Sequence, residues 1–260
     1  MKRKPAKKTE EKRIVAPYKL GRKAIKTDSR TLKLAKYLTP ALPTPPVARD
    51  WTCGVTDFGM MLNDQLGDCT IAGCGHAVQV WSLNTGQEVT ISDAAIKSAY
   101  AAWDGYVPGD DSTDNGGVEL DVLNNWHQTG LDGHVLGAFA AANTKNLMEI
   151  QQAISLFGGV YIGLNLPVTA QQQTVWDVVS AEGGDAEPGS WGGHCVYVVA
   201  YDQSSFTCIT WGKVLKMTAA FWQAYCDEAY ALLGADWLKD GNAPSGFDQA
   251  TLNADLKAIR

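Results

Sequence analysis

Cys69 follows the turn residues Gly67 and Asp68 and opens a run of small and apolar residues over 69–83, including Ile71, Ala72, Ala77, Val78, Val80 and Trp81. A thiol at the head of a helix is stabilised as thiolate by the unsatisfied amides and the dipole there. By itself such a residue is more often a packing cysteine. A base is needed to turn it into a nucleophile, and it should be distant in sequence and adjacent in space. His194 fits, in Trp191-Gly192-Gly193-His194 just before the β-prone run 195–201, where a rigid strand can hold its imidazole. His76 lies two turns further along the Cys69 helix, His127 sits on an amphipathic helix and His134 falls in a Gly-rich loop, so these three read as structural or solvated.

No metal or cofactor is called for. The six cysteines Cys53, Cys69, Cys74, Cys195, Cys208 and Cys226 contain no C-x-x-C pair, and their spacing to His76 and His194 matches no common structural zinc pattern. Without a signal sequence they are expected as thiols. The oxygen-rich stretch 110–115 lacks the spacing and terminal Glu of an EF-hand loop and reads as a surface turn. Neither a P-loop nor a dinucleotide-binding glycine motif is present.

The elements that must carry these residues are helical in the first half of the chain. After the all-round apolar run at 69–83, which belongs in a core, Ser92 caps a helix-like run at 94–103. A Gly-, Asp- and Pro-dense loop at 105–117 leads to a helix at 119–129 closed by Gly130, and 147–157 reads as another closed by Gly158-Gly159. Strands then dominate: 160–166, 195–201 and 206–211, the last two joined by the turn 202–205. The stretch 218–233 reads as a return to helix, with Thr218 as its cap. Helices first and antiparallel strands second define an α+β class. Most of the nine tryptophans fall at core or cleft-wall positions.

Charge divides the chain more sharply than its net value of −6 suggests. Residues 1–50 hold 15 Lys/Arg against 4 Asp/Glu, whereas residues 51–260 hold 7 against 24, so a basic arm precedes an acidic body. Four prolines within 39–46 make an extended linker between them. The organisation expected is a basic, Pro-rich arm at 1–45, a domain at 46–240 and a C-terminal tail at 241–260. No run of eighteen apolar residues exists, and the basic residues 1–13 precede no apolar stretch, so no membrane span or secretory signal is read. A cytoplasmic or particle-associated protein is expected.

Several segments in order resemble the papain-like (C1) cysteine peptidases, especially bacterial ones. Pro46-Val47-Ala48-Arg49-Asp50-Trp51 resembles the "P-x-x-x-D-W" opening of the mature domain, and Gln65-Leu66-Gly67-Asp68-Cys69-Thr70 is similar to "Q-L-G-S-C-T" around the nucleophile. Asn115-Gly116-Gly117 before the helix at 119–129 resembles the "G-G" helix lining the left side of the cleft. Gly192-Gly193-His194-Cys195-Val196 through Tyr201-Asp202 resembles "G-G-H-A-V-x-x-V-G-Y-D", and Thr210-Trp211-Gly212 the end of "N-S-W-G". The resemblance spans about residues 46–215. It implies a two-lobed fold, with a helical left lobe and an antiparallel β right lobe, in which Cys69 is the nucleophile and His194 its base and proton donor. Gly116, Gly117, Gly193 and Trp211 would line the substrate cleft. The main-chain amide of Cys69 would stabilise the oxyanion together with a side-chain amide, from Asn63 at the position of the usual Gln or from Gln65.

One departure bears on the chemistry. The residue that usually orients the histidine is an Asn, and here the position is Ile209, which accepts no hydrogen bond. Thr210 or a backbone carbonyl must then orient His194. Two functions follow. The first is a thiol amide hydrolase acting on peptides or proteins through the Cys69–His194 dyad. The alternative is a weakly active or non-catalytic papain-fold protein, tied by its arm into a homo-oligomer, virion or other particle, with nucleic acid as a weaker partner. A third role for the arm, an inhibitory pro-segment, sits poorly with its length and charge. The hydrolase expectation requires thiol and imidazole within hydrogen-bonding reach across an accessible groove; side chains facing apart, or a groove plugged by the chain itself, would leave only the scaffold.

Overall fold

The computed structural model describes residues 18–38, 44–180 and 183–246. Part of the basic arm, residues 1–17 and 39–43, and the end of the C-terminal tail, 247–260, therefore lie outside the described residues.

Five α-helices pack against one eight-stranded sheet among these residues. In chain order they are β1 (Arg49–Asp50), α1 (Cys69–Thr85), α2 (Asp93–Asp104), α3 (Glu119–Thr129), β2 (Leu136–Ala141), α4 (Leu147–Phe157), β3 (Val160–Leu166), β4 (Val175–Trp176), β5 (Gly192–Tyr201), β6 (Ser205–Thr210), β7 (Lys213–Thr218), α5 (Ala219–Tyr225) and β8 (Cys226–Gly234). The sheet runs β2-β8-β3-β5-β6-β7-β4, with β1 added to β5 through Arg49 and Asp50 opposite Tyr201 and Ala200. Every pairing is antiparallel except β4 with β7.

The expected α+β order of helices then strands is present, with one segment corrected. Residues 218–233 do not form a single helix: Thr218 caps α5 by accepting from the Phe221 amide at 3.0 Å, and the chain then enters β8 at Cys226. Alanine and leucine in 226–234 favour helix locally, but β8 is paired on both sides, to β2 and β3, and tertiary context overrides so weak a preference.

Helix α1 is the axis of the core. Nearly all of residues 69–82 are buried, as the apolar run predicts, and Gly86 in the left-handed region closes the helix. Its close approach to the sheet depends on Gly73, where a Cβ would lie 2.9 Å from the Tyr161 ring and 3.3 Å from Cys195 Sγ. Tyr161 donates its hydroxyl to the Thr70 carbonyl at 2.9 Å, which ties the first turn of α1 to β3. At the far end Trp81 stacks near Trp126 of α3 and donates to the Phe157 carbonyl. The head of α1 is thus fixed against β3 and β5, the placement that the chemistry of Cys69 requires.

The described part of the arm lies on this body. Residues 18–23 run between α3 and β5; beyond them Lys26 pairs with Asp121 at 2.6 Å, Leu34 is buried, and Lys33 bridges Ala141 at the edge strand β2.

Candidate active site

Cys69 is the first residue of α1 and wholly buried. The loop before it is held by a short relay: Asp114 Oδ1 accepts from the Gly67 amide at 2.9 Å and from the Tyr100 hydroxyl at 2.7 Å, and that hydroxyl accepts from the Gly116 amide at 2.8 Å. One tyrosine and one aspartate therefore fix both the thiol loop and the Gly116-Gly117 wall. The main-chain N–H of Cys195 donates to Sγ at 3.4 Å.

His194, the residue before Cys195 on β5, is equally buried. Its Nε2 lies 2.9 Å from Thr210 Oγ1, and its ring stacks on Trp211 with centroids 4.3 Å apart. Thr210 at the end of β6 thus takes the position relative to the ring that Ile209 cannot fill. Ile209 is a buried core residue opposite Tyr197 and Val214. Nδ1 of His194 is buried without a hydrogen-bond partner, and no hydrogen bond joins the imidazole to Cys69. Trp211 itself has a left-handed backbone, φ 45°, just before the turn at Gly212.

The two oxyanion candidates are placed differently. Asn63 is buried and donates to the Leu66 carbonyl and to Asp68 Oδ1, both at 3.2 Å, so both its amide hydrogens are engaged. Gln65 is exposed. Of the other histidines, His76 bonds the Gly59 carbonyl, His127 the Leu136 carbonyl and His134 Asp236, so each is occupied in structure. All six cysteines are free. Among the described residues no group of three His, Cys, Asp or Glu is placed to hold a metal ion, and no helix is long and apolar enough to cross a membrane.

The groove between the lobes is filled by the chain itself. The Lys19 amide donates to the Asn63 carbonyl at 3.2 Å, the Arg22 amide to the Gly193 carbonyl at 3.1 Å and the Lys23 amide to the Gly117 carbonyl at 2.8 Å. The Gly117 amide donates in return to the Gly21 carbonyl at 2.8 Å. Gly117 and Gly193, expected to line a substrate cleft, are therefore bonded to an extended strand lying between them. Trp211 donates its indole N–H to the Lys19 carbonyl and stacks on Tyr18, with centroids 4.4 Å apart. The fit depends on missing side chains: a Cβ on Gly21 would collide with the Gly67 carbonyl, and one on Gly116 would collide with the Gly21 carbonyl.

Burial sets the protonation of the pair. Loss of water pushes the Cys69 thiol up to about 12, against the opposing pull of main-chain hydrogen bonds from Cys195 and Gly21. It lowers His194 to about 3. In this closed form both groups are neutral at physiological pH: a thiol and an imidazole rather than a thiolate and an imidazolium. Asp68, beside Cys69, is likewise raised well above the usual carboxylate range by burial. The expectation of an accessible groove with sulfur and imidazole hydrogen-bonded is not met.

Arg22 went unmarked in the sequence and is buried deepest of the described arm cations. It ion-pairs with Glu119, Asp227 and Glu228. The charge count pointed to the arm as a whole, but fifteen cations of similar type give no local sign of which one is enclosed in the body.

No family model matches the sequence, and no curated protein matches it. The fold does match solved structures. Xylellain, a cysteine protease from Xylella fastidiosa, aligns with a TM-score of 0.65 at 13% identity, covering 87% of this chain and 99% of its own. ProCathepsin B S9 from Trypanosoma congolense aligns at 0.59 and 10% identity, covering 84% and 87% of the two chains. Digestive procathepsin L 3 of Tenebrio molitor aligns at 0.56 and 12%, covering 84% and 76%. The chain therefore has a papain-like fold.

Proposed function

We propose that the protein is, despite the filled groove, a papain-like thiol hydrolase of peptide bonds, held latent by its own residues 18–23, the inhibitory role that the length and charge of the arm argued against. The observation that carries this is the manner in which the groove is filled. An extended strand bonded through its main chain to both walls, at Gly117 and Gly193, occupies the space beside Cys69 as a peptide would. Side chains of the two lobes filling the same space would argue for a dead core; a removable strand argues for a cap.

With the strand withdrawn, water returns to Cys69 and His194, and the burial that raises the one and lowers the other is relieved. His194 Nδ1 is the nitrogen left for the thiol, because Thr210 engages Nε2. The reaction follows: the sulfur attacks the peptide carbonyl as its proton passes to His194, the imidazolium gives that proton to the leaving amine, and water then hydrolyses the thioester with His194 as base. The main-chain N–H of Cys69 serves the oxyanion, and Asn63 joins it if it exchanges its bond to Asp68. Trp211 shields the imidazole and Thr210 sets its orientation.

A second reading, a papain-fold scaffold without activity, is favoured by Ile209, by the engaged Asn63 and by the absence of a Cys69–His194 hydrogen bond in the closed form. One experiment on the full chain separates the two. Gly21→Val wedges the strand out against the Gly67 carbonyl without altering a site residue. Iodoacetamide should then label Cys69 selectively and with pH dependence, and the labelling should slow when His194→Ala is added. Labelling that stays slow, or spreads evenly over several cysteines, leaves the scaffold reading.

A further inference from the structure

The side chain of Arg22 enters a recess whose walls come from α3, β3 and β8. Nε lies 3.2 Å from Glu119 Oε1, and Nη2 lies 2.8 Å from Glu228 Oε2 and 2.6 Å from Asp227 Oδ1. Nη1 donates to Asn165 Oδ1 at 3.4 Å. The acceptors are themselves positioned: the Tyr230 hydroxyl donates to Glu228 Oε1 at 2.6 Å, and Asn165 Nδ2 donates to Asp227 Oδ2 at 2.7 Å. The side chains of Arg22, Glu119 and Glu228 are 1%, 0% and 3% exposed. A second, independent feature shapes the recess to the same group. Gly163 sits in the middle of the buried strand β3, where glycine is a poor choice, and any Cβ there would collide with the guanidinium.

Two carboxylates, the buried Glu228 and the more exposed Asp227, face the cation, beside a third carboxyl, Glu119, that burial raises well above the usual carboxylate range. Buried anions without a partner are costly, so a body of this construction is not indifferent to what enters when Arg22 leaves. An ammonium has a single nitrogen and no plane, whereas the acceptors here are spread around a guanidinium fork.

We infer that this recess is a specificity pocket for an arginine side chain of the substrate, which Arg22 occupies as a stand-in while the strand is in place. The inference rests on the proposed release of residues 18–23. The substrate class it names is an extended peptide with an arginine beside the bond that Cys69 attacks. The main chain of such a peptide would take over the bonds to Gly117 and Gly193, and its arginine the bonds to Asp227, Glu228 and Asn165 and the place beside Glu119.

The test is calorimetric titration of full-chain Arg22→Ala, carrying Cys69→Ala so that nothing turns over, with blocked tripeptides containing arginine, lysine or citrulline at the centre. Citrulline keeps the shape and removes the charge. The arginine peptide should bind at least tenfold more tightly than the citrulline peptide, and Glu228→Gln should abolish that preference. Equal affinities, or no arginine binding to a variant with native circular dichroism, would overturn the pocket. Should Arg22→Ala fail to fold, Gly21→Val keeps every pocket residue: the arginine peptide must raise its melting temperature and the citrulline peptide must not. Activity is a separate readout with Cys69 restored. Arginine-selective binding without hydrolysis upholds the pocket and removes the hydrolase; hydrolysis without arginine preference does the reverse.

Discussion

At the thiol end of the groove, residues 18–21 act by excluding water: Cys69 and His194 hold neutral forms because nothing solvates their ions. At the acidic end, the next residue acts by supplying a charge, and Arg22 remains a cation among Glu119, Asp227 and Glu228. Burial discharges the first; at the second it also raises Glu119 well above the usual carboxylate range, and the ion pairs that remain are to the exposed Asp227 and the buried Glu228. The difference lies in the partners. Cys69 and His194 are offered main-chain N–H, a threonine hydroxyl and an aromatic face, whereas Arg22 is offered carboxylates. Under the proposed function one short strand shields the nucleophile and fills the acidic pocket together, and releasing it should reverse both.

The comparison breaks if the two ends prove independent. The largest effect is expected from Gly21→Val: a return of Cys69 from about 12 to its ordinary 9 raises the thiolate fraction near neutral pH ~1000-fold, and alkylation should follow in proportion. Glu228→Lys places a second cation beside Arg22 and should expel the strand from the other end, so Cys69 alkylation should accelerate there as well, although the substitution is remote from sulfur. No acceleration would uncouple the ends. In the Gly21→Val background, His194→Ala should lower peptide hydrolysis by about 10²–10⁴-fold, the usual worth of a general acid–base group. Thr210→Val, which removes only the partner of Nε2, should cost about tenfold, a fraction of that contribution.

Stability changes are smaller and sharpen the contrast. Arg22→Ala leaves buried carboxylates unpaired and should cost about 3–5 kcal/mol in denaturant unfolding. Arg22→Lys keeps the charge without the fork and should cost less. The mildest effect concerns acid. Burial lowers His194 to about 3 and His76 to about 4, so both stay neutral in the fold while the unfolded chain protonates near 6.5. The unfolded state binds more protons below that point, so stability should decline as the pH falls from about 6.5 toward 4. His194→Gln should flatten part of that decline in a melting-temperature series.

Much of the site was legible because its markers are local. A turn followed by an all-round apolar run placed Cys69 at the head of a core helix, and paired glycines before a β run placed His194 at the start of a strand. Thr210 was one of two orienting candidates left by Ile209, and it is the one within hydrogen-bonding distance. Strands whose order comes from pairing were less legible. β8 was taken for helix, and neither β2 nor β7 was anticipated, since their short mixed segments owe their form to sheet neighbours. The filled groove was least legible of all. Tyr18, Gly21 and Arg22 belong to a stretch whose composition reads only as basic, and their roles come from contacts with residues 46 to 206 positions away.

The strand over Cys69 is fastened where side chains are missing. Glycine meets glycine at Gly21 and Gly116, the ties to Gly117 and Gly193 are main-chain bonds, and the one deeply enclosed side chain is an arginine. The apolar area that separates on opening is Tyr18 against Trp211 and Leu20 against the core, so uncapping should carry a positive heat-capacity change. The remaining ties are main-chain bonds, which makes another peptide backbone the natural competitor for them.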